Sequence, residues 1–455
     1  MNNNTIAAIC TPYGVGGVGI VRISGDKAKE IASRVFNPIG KRNINNVKGF
    51  SAIYGHVFDK DGIFDEAIAT VFNAPKSYTG ENCVEISCHG GTYIMERVLN
   101  AVLDAGGTMA DAGEFTKRAF LNGKLSLEQA ESVIDLINAK SKLSAAAALS
   151  VKDGVLNKKI NEIAEKTKGL TAHLNVWTDY PDEDIPEVTD EELNSGIDEI
   201  IQMMNDLLKS YNQGRVIKDG VSTVIVGKPN VGKSTLMNAL SGQQISIVTH
   251  VAGTTRDVVE ETIKLGDIVL KIADTAGIHN TDDIVESIGV EAAKKKIDAS
   301  ALIIAVFDGN SEIDEDDRNI VNIAKNHTSL AVINKADKQI LIDKNYIYDN
   351  FDYVVEISAK ELAGLDILSE KIKEIYKINN FDSSAPMLYT LRQKECITKA
   401  LQAALEAKDA LDMGMTFDAV NVCIEDVLTN LLELSGKTAS EEVVNSVFSK
   451  FCVGK

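Results

Sequence analysis

The sequence predicts a multidomain fold of the α/β plus α class, because three kinds of patterning follow one another along the chain. Residues 1–118 alternate short β-like runs with glycine-rich turns, which is typical of a compact N-terminal α+β domain. Residues 119–216 and 379–455 carry apolar residues at helical spacing. Residues 217–378 alternate strand-like and helical segments, the pattern of a parallel sheet covered by helices. We therefore expect a helical domain that is split by an inserted α/β domain.

The N-terminal region contains strand-like runs separated by turn residues. Strands are predicted at 6–9, 19–23, 67–72 and 84–88, and helices at 26–36 and 92–105. Residues 1–50 hold seven Lys or Arg against two acidic residues. This excess indicates either a basic patch for RNA or an anionic small molecule, or ordinary surface lysines.

The helical regions carry apolar stripes that we expect to face a core. In the first region the stripe residues are Leu121, Leu125, Val133, Ile134 and Ile137. In the second region they are Ile397, Leu401, Leu405 and Leu411, followed by Val420, Ile424, Leu428 and Leu431. Residues 179–192 hold eight carboxylates, which predicts a solvated loop before a helix, with a metal-binding run as the alternative.

Charge and composition exclude several classes of protein. A net charge of −19 disfavours a protein that coats nucleic acid by bulk electrostatics. No apolar run of membrane-spanning length and no secretory signal pattern is present, so we expect a cytoplasmic protein with no membrane association. The six cysteines form no CxxC pair, which argues against a zinc site or a disulfide framework. Five of them are expected to be small buried residues, and Cys452, close to the C-terminus, suggests a second active centre.

Residues 227–234 carry the sequence GKPNVGKS, which matches the phosphate-binding pattern GxxxxGK[ST]. The match follows a predicted strand at 221–226 and precedes a helix predicted to start at Thr235, which is the required context. Lys233 is expected to bridge the β- and γ-phosphates, and the Ser234 hydroxyl to hold Mg²⁺. The predicted nucleotide contacts of this loop are Asn230, Val231, Gly232, Lys233, Ser234 and Thr235.

Two further segments are expected to contact the phosphates. Asp274 follows the next predicted strand and is expected to reach Mg²⁺ through water, while the Gly277 amide contacts the γ-phosphate. Between the motifs, Thr255 is a candidate second Mg²⁺ ligand in a switch segment. The predicted contacts from these segments are Thr249, His250, Val251, Ala252, Gly253, Thr254, Thr255, Asp274, Thr275, Ala276 and Gly277.

The base is predicted to be guanine. Residues 334–337, Asn334-Lys335-Ala336-Asp337, follow a predicted strand, and the Asp337 carboxylate can accept hydrogen bonds from guanine N1 and N2. Adenine would leave this carboxylate buried without a partner, which discriminates strongly against ATP. Residues 358–360, Ser358-Ala359-Lys360, are expected to close over the base. Four motifs in this order predict a Ras-like P-loop GTPase domain.

The catalytic groups depart from the Ras-like pattern, because Ile278 follows the Asp-Thr-Ala-Gly motif where Ras-like enzymes place a water-orienting glutamine. Another group must therefore orient the water and neutralise charge in the transition state. By proximity in the sequence, the candidates are Asp282, Asp283, Glu286 and Arg256. Asn230 is a candidate for binding a monovalent cation near the phosphates.

The chain resembles the MnmE (TrmE) family of tRNA-modifying GTPases along its whole length. Beyond the GTPase motifs, the resemblance rests on GGVGIVRISG at 16–25, SYTGE at 77–81 with HGG at 89–91, and the segment 113–125. The C-terminal FCVGK at 451–455 completes it. Residues 12–16, PYGVG, differ from the Pro-Pro-Gly-Arg-Gly of many relatives, and His279 stands where relatives often carry arginine.

The resemblance implies two sets of site residues. In the family, the N-terminal domain forms a homodimer and binds a 5-formyl-tetrahydrofolate-type one-carbon donor, for which the matching contacts are Arg22, Glu81, Lys124 and Lys455. The family's GTPase domain is activated by K⁺, whose ligands match Asn230, Thr249, Val251 and Thr254. The family's catalytic glutamate matches Glu286, and its functional cysteine matches Cys452.

The resemblance also implies partners. With an FAD-dependent protein, MnmG (also called GidA), the family forms a hetero-oligomer that adds a carboxymethylaminomethyl or aminomethyl-type group to the wobble uridine of certain tRNAs. FAD enters only through that partner. The alternatives are a cytoplasmic ribosome-assembly or regulatory switch GTPase and a nucleotide-gated scaffold without chemistry of its own. Removing the last four residues separates these readings, because only the first predicts lost modification with GTP hydrolysis retained.

Overall fold

The computed structural model describes residues 4–179, 189–242, 261–272 and 297–455. The chain divides into two compact units. The first unit consists of Met1–Ile134, Val151–Ile201 and Lys399–Lys455, and the second consists of Asp135–Ser150 and Gln202–Thr398.

The first unit contains an N-terminal sheet. Its strands are β1 (Ile6–Ile9), β2 (Val18–Ser24), β3 (Phe36–Pro38), β4 (Ser51–Asp59), β5 (Gly62–Phe72), β6 (Cys83–His89) and β7 (Thr108–Met109). They form a seven-stranded sheet in the order β3-β4-β5-β6-β2-β1-β7. The described pairs are antiparallel except β1 with β7, which is parallel. The central position of β2 places residue 22 next to both β1 and β6.

Two helices pack against this sheet, α1 (Ala28–Ser33) and α2 (Thr92–Asp104). The α2 helix is amphipathic, and its apolar residues Met95, Val98 and Val102 are buried in one core with Val21, Ile23 and other strand residues. Burying one apolar face of a sheet under helices removes that face from water and stabilises the domain. This arrangement confirms the predicted N-terminal α+β fold.

The helical region follows the N-terminal sheet and resumes near the C-terminus. Its helices are α3 (Glu114–Leu121), α4 (Leu127–Ile137), α5 (Lys142–Lys152), α6 (Val155–Asp179) and α7 (Asp190–Asp219). After the second sheet come α12 (Leu391–Asp412), α13 (Phe417–Ser435) and α14 (Glu441–Phe448). Within the first unit, Leu174 and Ile197 share a core with Leu411 and Ile424. The two helical segments therefore build one hydrophobic core, as the sequence predicts.

The second unit contains the other sheet. Its strands are β8 (Val221–Val226), β9 (Glu261–Leu265), β10 (Ile268–Ile272), β11 (Leu302–Asp308), β12 (Ser329–Asn334) and β13 (Val354–Glu356). Its helices include α8 (Lys233–Gly242), α9 (Glu315–Ala324), α10 (Lys344–Asn350) and α11 (Leu365–Ile375). The strand order is β13-β12-β11-β8-β10-β9, and every described pair is parallel except β10 with β9. The predicted parallel sheet is confirmed, with an added antiparallel edge strand.

Four strands and three core positions differ from the sequence-based expectation. The sequence did not predict β3, β4, β7 or β9. Gly55 within β4 weakens the strand signal, yet a Cβ at this position would lie 2.4 Å from the Asn37 carbonyl oxygen and 2.6 Å from the Phe36 ring. The expectation that Leu121, Ile137 and Leu405 face the core is wrong, since all three are exposed. In α12 the core side is lined largely by alanines, which the apolar stripe did not reveal.

The structure describes only part of the acidic run at residues 179–192. Residues 180–188 lie outside the described residues, and α7 begins at Asp190 with three acidic residues in its first turn. Negative charge at a helix N-terminus is stabilising because it faces the positive end of the helix dipole. Among the described residues, no helix is long and apolar enough to cross a membrane.

Candidate functional site

The phosphate-binding loop connects the end of β8 to α8, which begins at Lys233, two residues earlier than predicted. Asn230 and Gly232 both have positive φ angles, 65° and 100°. A Cβ on Gly232 would lie 2.3 Å from the Nδ2 atom of Asn334. The position therefore requires glycine for both its backbone angle and its close neighbour. The loop ends at a helix N-terminus, where backbone N–H groups and the helix dipole favour an anion.

Lys233 lies over this loop. Its ammonium donates hydrogen bonds to the carbonyl oxygens of Gly227, at 2.6 Å, and Lys228, at 2.8 Å. Burial lowers the pKa of Lys233, because the charged form loses part of its hydration. The next residue, Ser234, has an exposed side chain in the first turn of α8. A hard hydroxyl oxygen at this position fits Mg²⁺, which prefers oxygen ligands.

Asn334 ties the phosphate-binding loop to the segment that follows β13. Its side chain is buried, and its Nδ2 donates to the Val231 carbonyl oxygen at 2.9 Å. Its Oδ1 accepts a hydrogen bond from the Ala359 amide at 3.0 Å. One side chain at the end of β12 thus fixes the loops after β8 and β13, whose parallel strands end at the same edge of the sheet.

The other residues that are predicted to recognise the base lie nearby. The Ser358 hydroxyl donates to Oδ1 of Asp337 at 2.6 Å, and this hydrogen bond lowers the pKa of Asp337 and keeps it ionised. Lys335 has a φ of 65° and donates to the Asn230 carbonyl oxygen at 2.9 Å and to Asp308 at 2.6 Å. Lys360 is exposed and pairs with its neighbour Glu361 at 3.3 Å. An ionised Asp337 suits the N1 and N2 donors of guanine.

An ion-pair network next to the phosphate-binding loop was missed by the sequence analysis. The Lys228 ammonium lies 2.7 Å from a carboxylate oxygen of Asp314 and 2.7 Å from one of Asp317. Asp314 and Asp317 form the capping box of α9, and the Asp317 side chain is buried. The hydrogen bond from Lys228 is the largest cause that lowers the pKa of Asp314 to about 2. The acidic spacing predicts a helix cap, but no sequence signal linked this cap to Lys228.

Many of the predicted nucleotide contacts lie outside the described residues. These are Thr249, His250, Val251, Ala252, Gly253, Thr254, Thr255, Asp274, Thr275, Ala276 and Gly277. The candidate catalytic residues Arg256, Asp282, Asp283 and Glu286 also lie outside them, as do Ile278 and His279. The expectations for the switch segment, for Thr255 as a Mg²⁺ ligand and for three of the four K⁺ ligands therefore remain predictions.

In the first unit, a second group of predicted residues surrounds the turn formed by residues 77–81. The Arg22 guanidinium pairs with Glu85 at 2.8 Å and lies 5.3 Å and 5.4 Å from the ring centres of Tyr78 and Phe115. A cation over aromatic faces is stabilised by the ring quadrupoles. Arg22 is therefore held in place between the sheet and this turn.

Glu81 and Lys124 lie at the same turn. Glu81 accepts hydrogen bonds from the Ser24 hydroxyl at 2.7 Å and from the Arg118 guanidinium at 3.1 Å. Lys124 donates to the carbonyl oxygens of Ser77, at 2.6 Å, and Pro75, at 3.1 Å. The structure thus brings Arg22, Glu81 and Lys124 to one short segment of chain.

A cavity of about 720 Å³ opens beside this turn. Its lining includes Gly80, Glu81, Arg118 and Asn122, whereas Arg22, Lys124 and Lys455 do not line it. Arg118 was not among the predicted contacts, although its motif was recognised. It pairs with both Glu81 and Glu114, at 3.1 Å and 2.8 Å. The lining includes four carboxylates, Asp26, Glu81, Asp111 and Glu114, and two cations, Lys117 and Arg118, so the cavity can exchange hydrogen bonds with a polar ligand.

The C-terminal tail lies against the N-terminal sheet and the start of α3. The Gly113 amide donates to the Cys452 carbonyl oxygen at 3.3 Å, and the Phe115 amide donates to the carbonyl oxygen of Lys455 at 3.2 Å. Val453 forms an isolated antiparallel bridge with Ala112. Cys452 is exposed. The Cys10 thiol donates to the Gly454 carbonyl oxygen at 3.1 Å, so the tail brings its last residues to the end of β1.

The other cysteines divide by burial. Cys83, Cys88 and Cys396 are buried, whereas Cys10 and Cys423 are half-buried. Burial raises the pKa of Cys83 to about 12 and that of Cys88 to about 11, so both thiols stay protonated. The expectation of five buried cysteines thus holds for three, and Cys10 and Cys423 are more accessible than predicted.

Two models of known families match this chain. The family model described as GTP-binding protein TrmE N-terminus matches residues 5–124. The model described as MnmE helical domain matches residues 127–452. Together the two models span both sheets and the helical region.

Similar proteins of known name share the whole length of the chain. The chain is 41% identical over 460 residues to the tRNA modification GTPase MnmE of Acetivibrio thermocellus, covering 99% of each chain. It is 40% identical to that of Clostridioides difficile, covering 100% of this chain and 99% of the relative. It is 42% identical to that of Carboxydothermus hydrogenoformans, covering 100% of each.

Among solved structures, similarity is partial. The FeoB G-domain from Methanococcus jannaschii is 22% identical with a TM-score of 0.26, covering 34% of this chain and 97% of that chain. The G domain of the T. maritima FeoB iron transporter is 25% identical with a TM-score of 0.27, covering 34% and 98%. The full-length relatives and the two family models assign the chain. It belongs to the MnmE family of tRNA modification GTPases.

Proposed function

We propose that this chain binds and hydrolyses GTP and uses the resulting conformational cycle to modify the wobble uridine of certain tRNAs. The observation that carries the GTP part is the convergence of Lys233, Asn334 and Asp337 at the ends of parallel strands β8 and β12. An ammonium over a phosphate-binding loop and an ionised carboxylate fixed by Ser358 suit the two ends of a guanine nucleotide. Family membership supports the tRNA part of the proposal.

In this proposal each residue of the nucleotide site has a defined task. Lys233 binds the β- and γ-phosphates, and the loop amides from Asn230 to Thr235 surround them. Asp337 selects guanine, and Ser358, Ala359 and Lys360 cover the base. Asn334 and Lys335 hold the two loops in register through their contacts to Val231, Asn230 and Ala359.

Two cations are part of the proposal. Bound Mg²⁺ and K⁺ supply positive charge that stabilises the negative charge developing on the transferred phosphoryl group. Ser234 and Thr255 are the proposed Mg²⁺ ligands, with Asp274 acting through water. The proposed K⁺ ligands are Asn230, Thr249, Val251 and Thr254. Glu286 orients the attacking water and Arg256 assists, since Ile278 cannot do so.

The N-terminal site is proposed to bind a 5-formyl-tetrahydrofolate-type donor. Arg22, Lys124 and Lys455 supply cations for its carboxylates, and Glu81 accepts hydrogen bonds from its ring system. Cys452 is the proposed reactive thiol of this centre. The support is the clustering of Arg22, Glu81 and Lys124 around residues 77–81, together with the tail contacts that hold Gly454 at the end of β1 and Lys455 at the start of α3.

The proposed assembly is a cytoplasmic homodimer that acts with the FAD-dependent partner MnmG in a hetero-oligomer on tRNA. In this proposal, four segments of the chain form three domains with different functions. Residues 1–118 bind folate and dimerise, residues 217–378 form the inserted GTPase domain, and residues 119–216 and 379–455 form the helical domain. GTP binding closes two GTPase domains against each other, and hydrolysis reopens them.

The cation mechanism is tested by steady-state GTP hydrolysis in KCl and in NaCl at equal ionic strength. We expect stimulation by K⁺ of roughly a hundredfold or more, because positive charge at the phosphoryl group is worth about 10³–10⁵ in other GTPases. Glu286→Ala should remove most of the activity in KCl. Glu370→Ala, an exposed glutamate on α11, is the matched control and should behave like the wild type. Equal rates in the two salts would remove the K⁺ mechanism and leave an ordinary switch GTPase.

A further inference from the structure

The position of the C-terminal tail depends on a close approach at Gly454. This residue has a φ of 99°, and a Cβ at its position would lie 2.3 Å from the Ile9 carbonyl oxygen and 3.1 Å from the Cys10 Cα. An L side chain is disfavoured there both by the backbone angle and by contact with the end of β1. The tail therefore lies directly on the first strand, with only backbone between Gly454 and β1.

The Gly454 carbonyl oxygen faces two side-chain donors of the N-terminal sheet. The Cys10 thiol donates to it at 3.1 Å, and a guanidinium nitrogen of Arg22 lies 3.5 Å away. The thiol is the nearer of the two donors. The Arg22 guanidinium in addition forms an ion pair with Glu85 at 2.8 Å. Sulfur hydrogen bonds are longer than oxygen ones, and 3.1 Å is therefore a short contact for a thiol.

The thiol must be protonated in order to donate. Burial raises the pKa of Cys10, and the nearby Glu85 acts in the same direction, while Arg22 and Lys455 oppose it. The net effect keeps the proton on sulfur at neutral pH. Geometry and protonation thus agree that Cys10 is a donor to the tail.

We propose that Cys10 is a positioning residue for the C-terminal tail, which it holds by its hydrogen bond to the Gly454 carbonyl. This hydrogen bond holds Gly454 against β1, the strand that pairs with the strand of Arg22. It thereby fixes the positions of Cys452 and Lys455, which flank Gly454 in the sequence. The proposal rests on the proposed function, in which Cys452 and Lys455 take part in tRNA modification. A Cys10 that merely filled space would be replaceable by alanine without effect on the tail.

Tail attachment is measured by hydrogen exchange of the Gly113 and Phe115 amides, which donate to Cys452 and Lys455. We expect Cys10→Ala to lower the protection of both amides by about fivefold, the effect of losing one hydrogen bond. Cys10→Ser keeps a donor and should restore most of that protection. Gly454→Ala should remove nearly all of it. Gly414→Ala is the matched control, because Gly414 also has a positive φ, 69°, but nothing lies within 4 Å of its Cβ position.

The functional readout is the rate of wobble-uridine modification with saturating GTP, folate donor and partner. We expect Cys10→Ala to lower kcat by about fivefold or more, Cys10→Ser to recover it, and Gly414→Ala to match the wild type. The proposal is overturned if Cys10→Ala keeps wild-type amide protection, if alanine and serine behave alike, or if modification is unchanged. A wild-type protein without modification activity would instead overturn the proposed function, because the exchange result does not depend on that activity.

Discussion

The two sites of this chain are built in different ways. In the nucleotide site, the contacting residues come from short segments, 226–234, 334–337 and 358–360, and each segment follows a parallel strand. In the N-terminal site, the contacts join single residues of different elements, such as Cys10 with Gly454 and Glu81 with Arg118. Parallel topology brings strand ends together, and each strand end of the nucleotide site carries a motif, whereas contacts between single residues leave no such pattern in the sequence. The first site is therefore readable from local motifs, and the second is not.

The largest expected effect comes from breaking the link between the loops of the nucleotide site. Asn334→Ala removes two hydrogen bonds and leaves the Val231 carbonyl and the Ala359 amide without that partner. Each loss costs about 1–3 kcal/mol, so GTP affinity should fall by on the order of a hundredfold. The measurement is a titration with a fluorescent GTP analogue. The exposed Asn322 on α9 provides the control Asn322→Ala, which should bind as the wild type does. Unchanged affinity in Asn334→Ala would show that the loops hold their positions independently.

A smaller effect is expected from breaking the ion pairs of the N-terminal site. Arg118→Ala leaves Glu81 and Glu114 without their shared guanidinium, and these groups are largely shielded from solvent. We expect a loss of about 2 kcal/mol of stability in this unit and a roughly tenfold weaker binding of 5-formyl-tetrahydrofolate. Urea unfolding and calorimetric titration measure the two effects. Arg34→Ala breaks an exposed pair with Glu30 and should change neither result. If Arg118→Ala binds folate as tightly as the wild type does, the folate site is not the cavity beside Glu81.

The smallest expected effect concerns the acid dependence of the network beside the phosphate-binding loop. The Lys228 ammonium lowers the pKa of Asp314 from its ordinary 3.8 to about 2. A depressed carboxylate pKa stabilises the folded state above pH 4, and this contribution is lost as the pH falls from about 4 to about 2.

The test compares the urea-unfolding midpoints of the wild type and Lys228→Met. Unfolding is followed by the hydrogen exchange of peptides from β11 and β12. The wild type should be the more stable protein above pH 4, and the difference between the two should shrink below pH 4. Lys325→Met, at the exposed C-terminal end of α9, should show no such convergence. A difference that is independent of pH between 6 and 2.5 would contradict the role of Lys228 in this network.

The sequence predicted the fold where one pattern dominates a segment. Buried parallel strands such as β11 and β12 are continuous apolar runs, which predict strands at 301–307 and 330–333. The structure has these strands at Leu302–Asp308 and Ser329–Asn334. The strand β4 was missed because Gly55 and polar residues interrupt its alternation, and the reason for Gly55 is a ring in another strand. Leu405 was assigned to the core because leucine outweighs alanine in a hydrophobic pattern, yet the buried side of α12 is formed by alanines such as Ala400, Ala404 and Ala407.

The sequence predicted the sites unevenly for the same physical reason. The spacing of local motifs predicts Lys233, Asn334 and Asp337 as site residues, because each belongs to a short segment with a recognisable pattern. Lys228 and Cys10 were missed because their partners, Asp317 and Gly454, are identified only by the folded chain. Arg22, Glu81 and Lys124 entered through family resemblance, and the fold brings them to one turn.

We expect GTP hydrolysis and tRNA modification to depend on different parts of this chain. The most direct test removes Cys452–Lys455 and measures both reactions on the same preparation, with K⁺, folate donor and partner present. We expect GTP hydrolysis within about twofold of the wild type and loss of wobble-uridine modification, because the predicted nucleotide contacts lie in residues 230–360. Retained modification would contradict a role for the tail, and loss of both reactions would contradict the separation of the two sites.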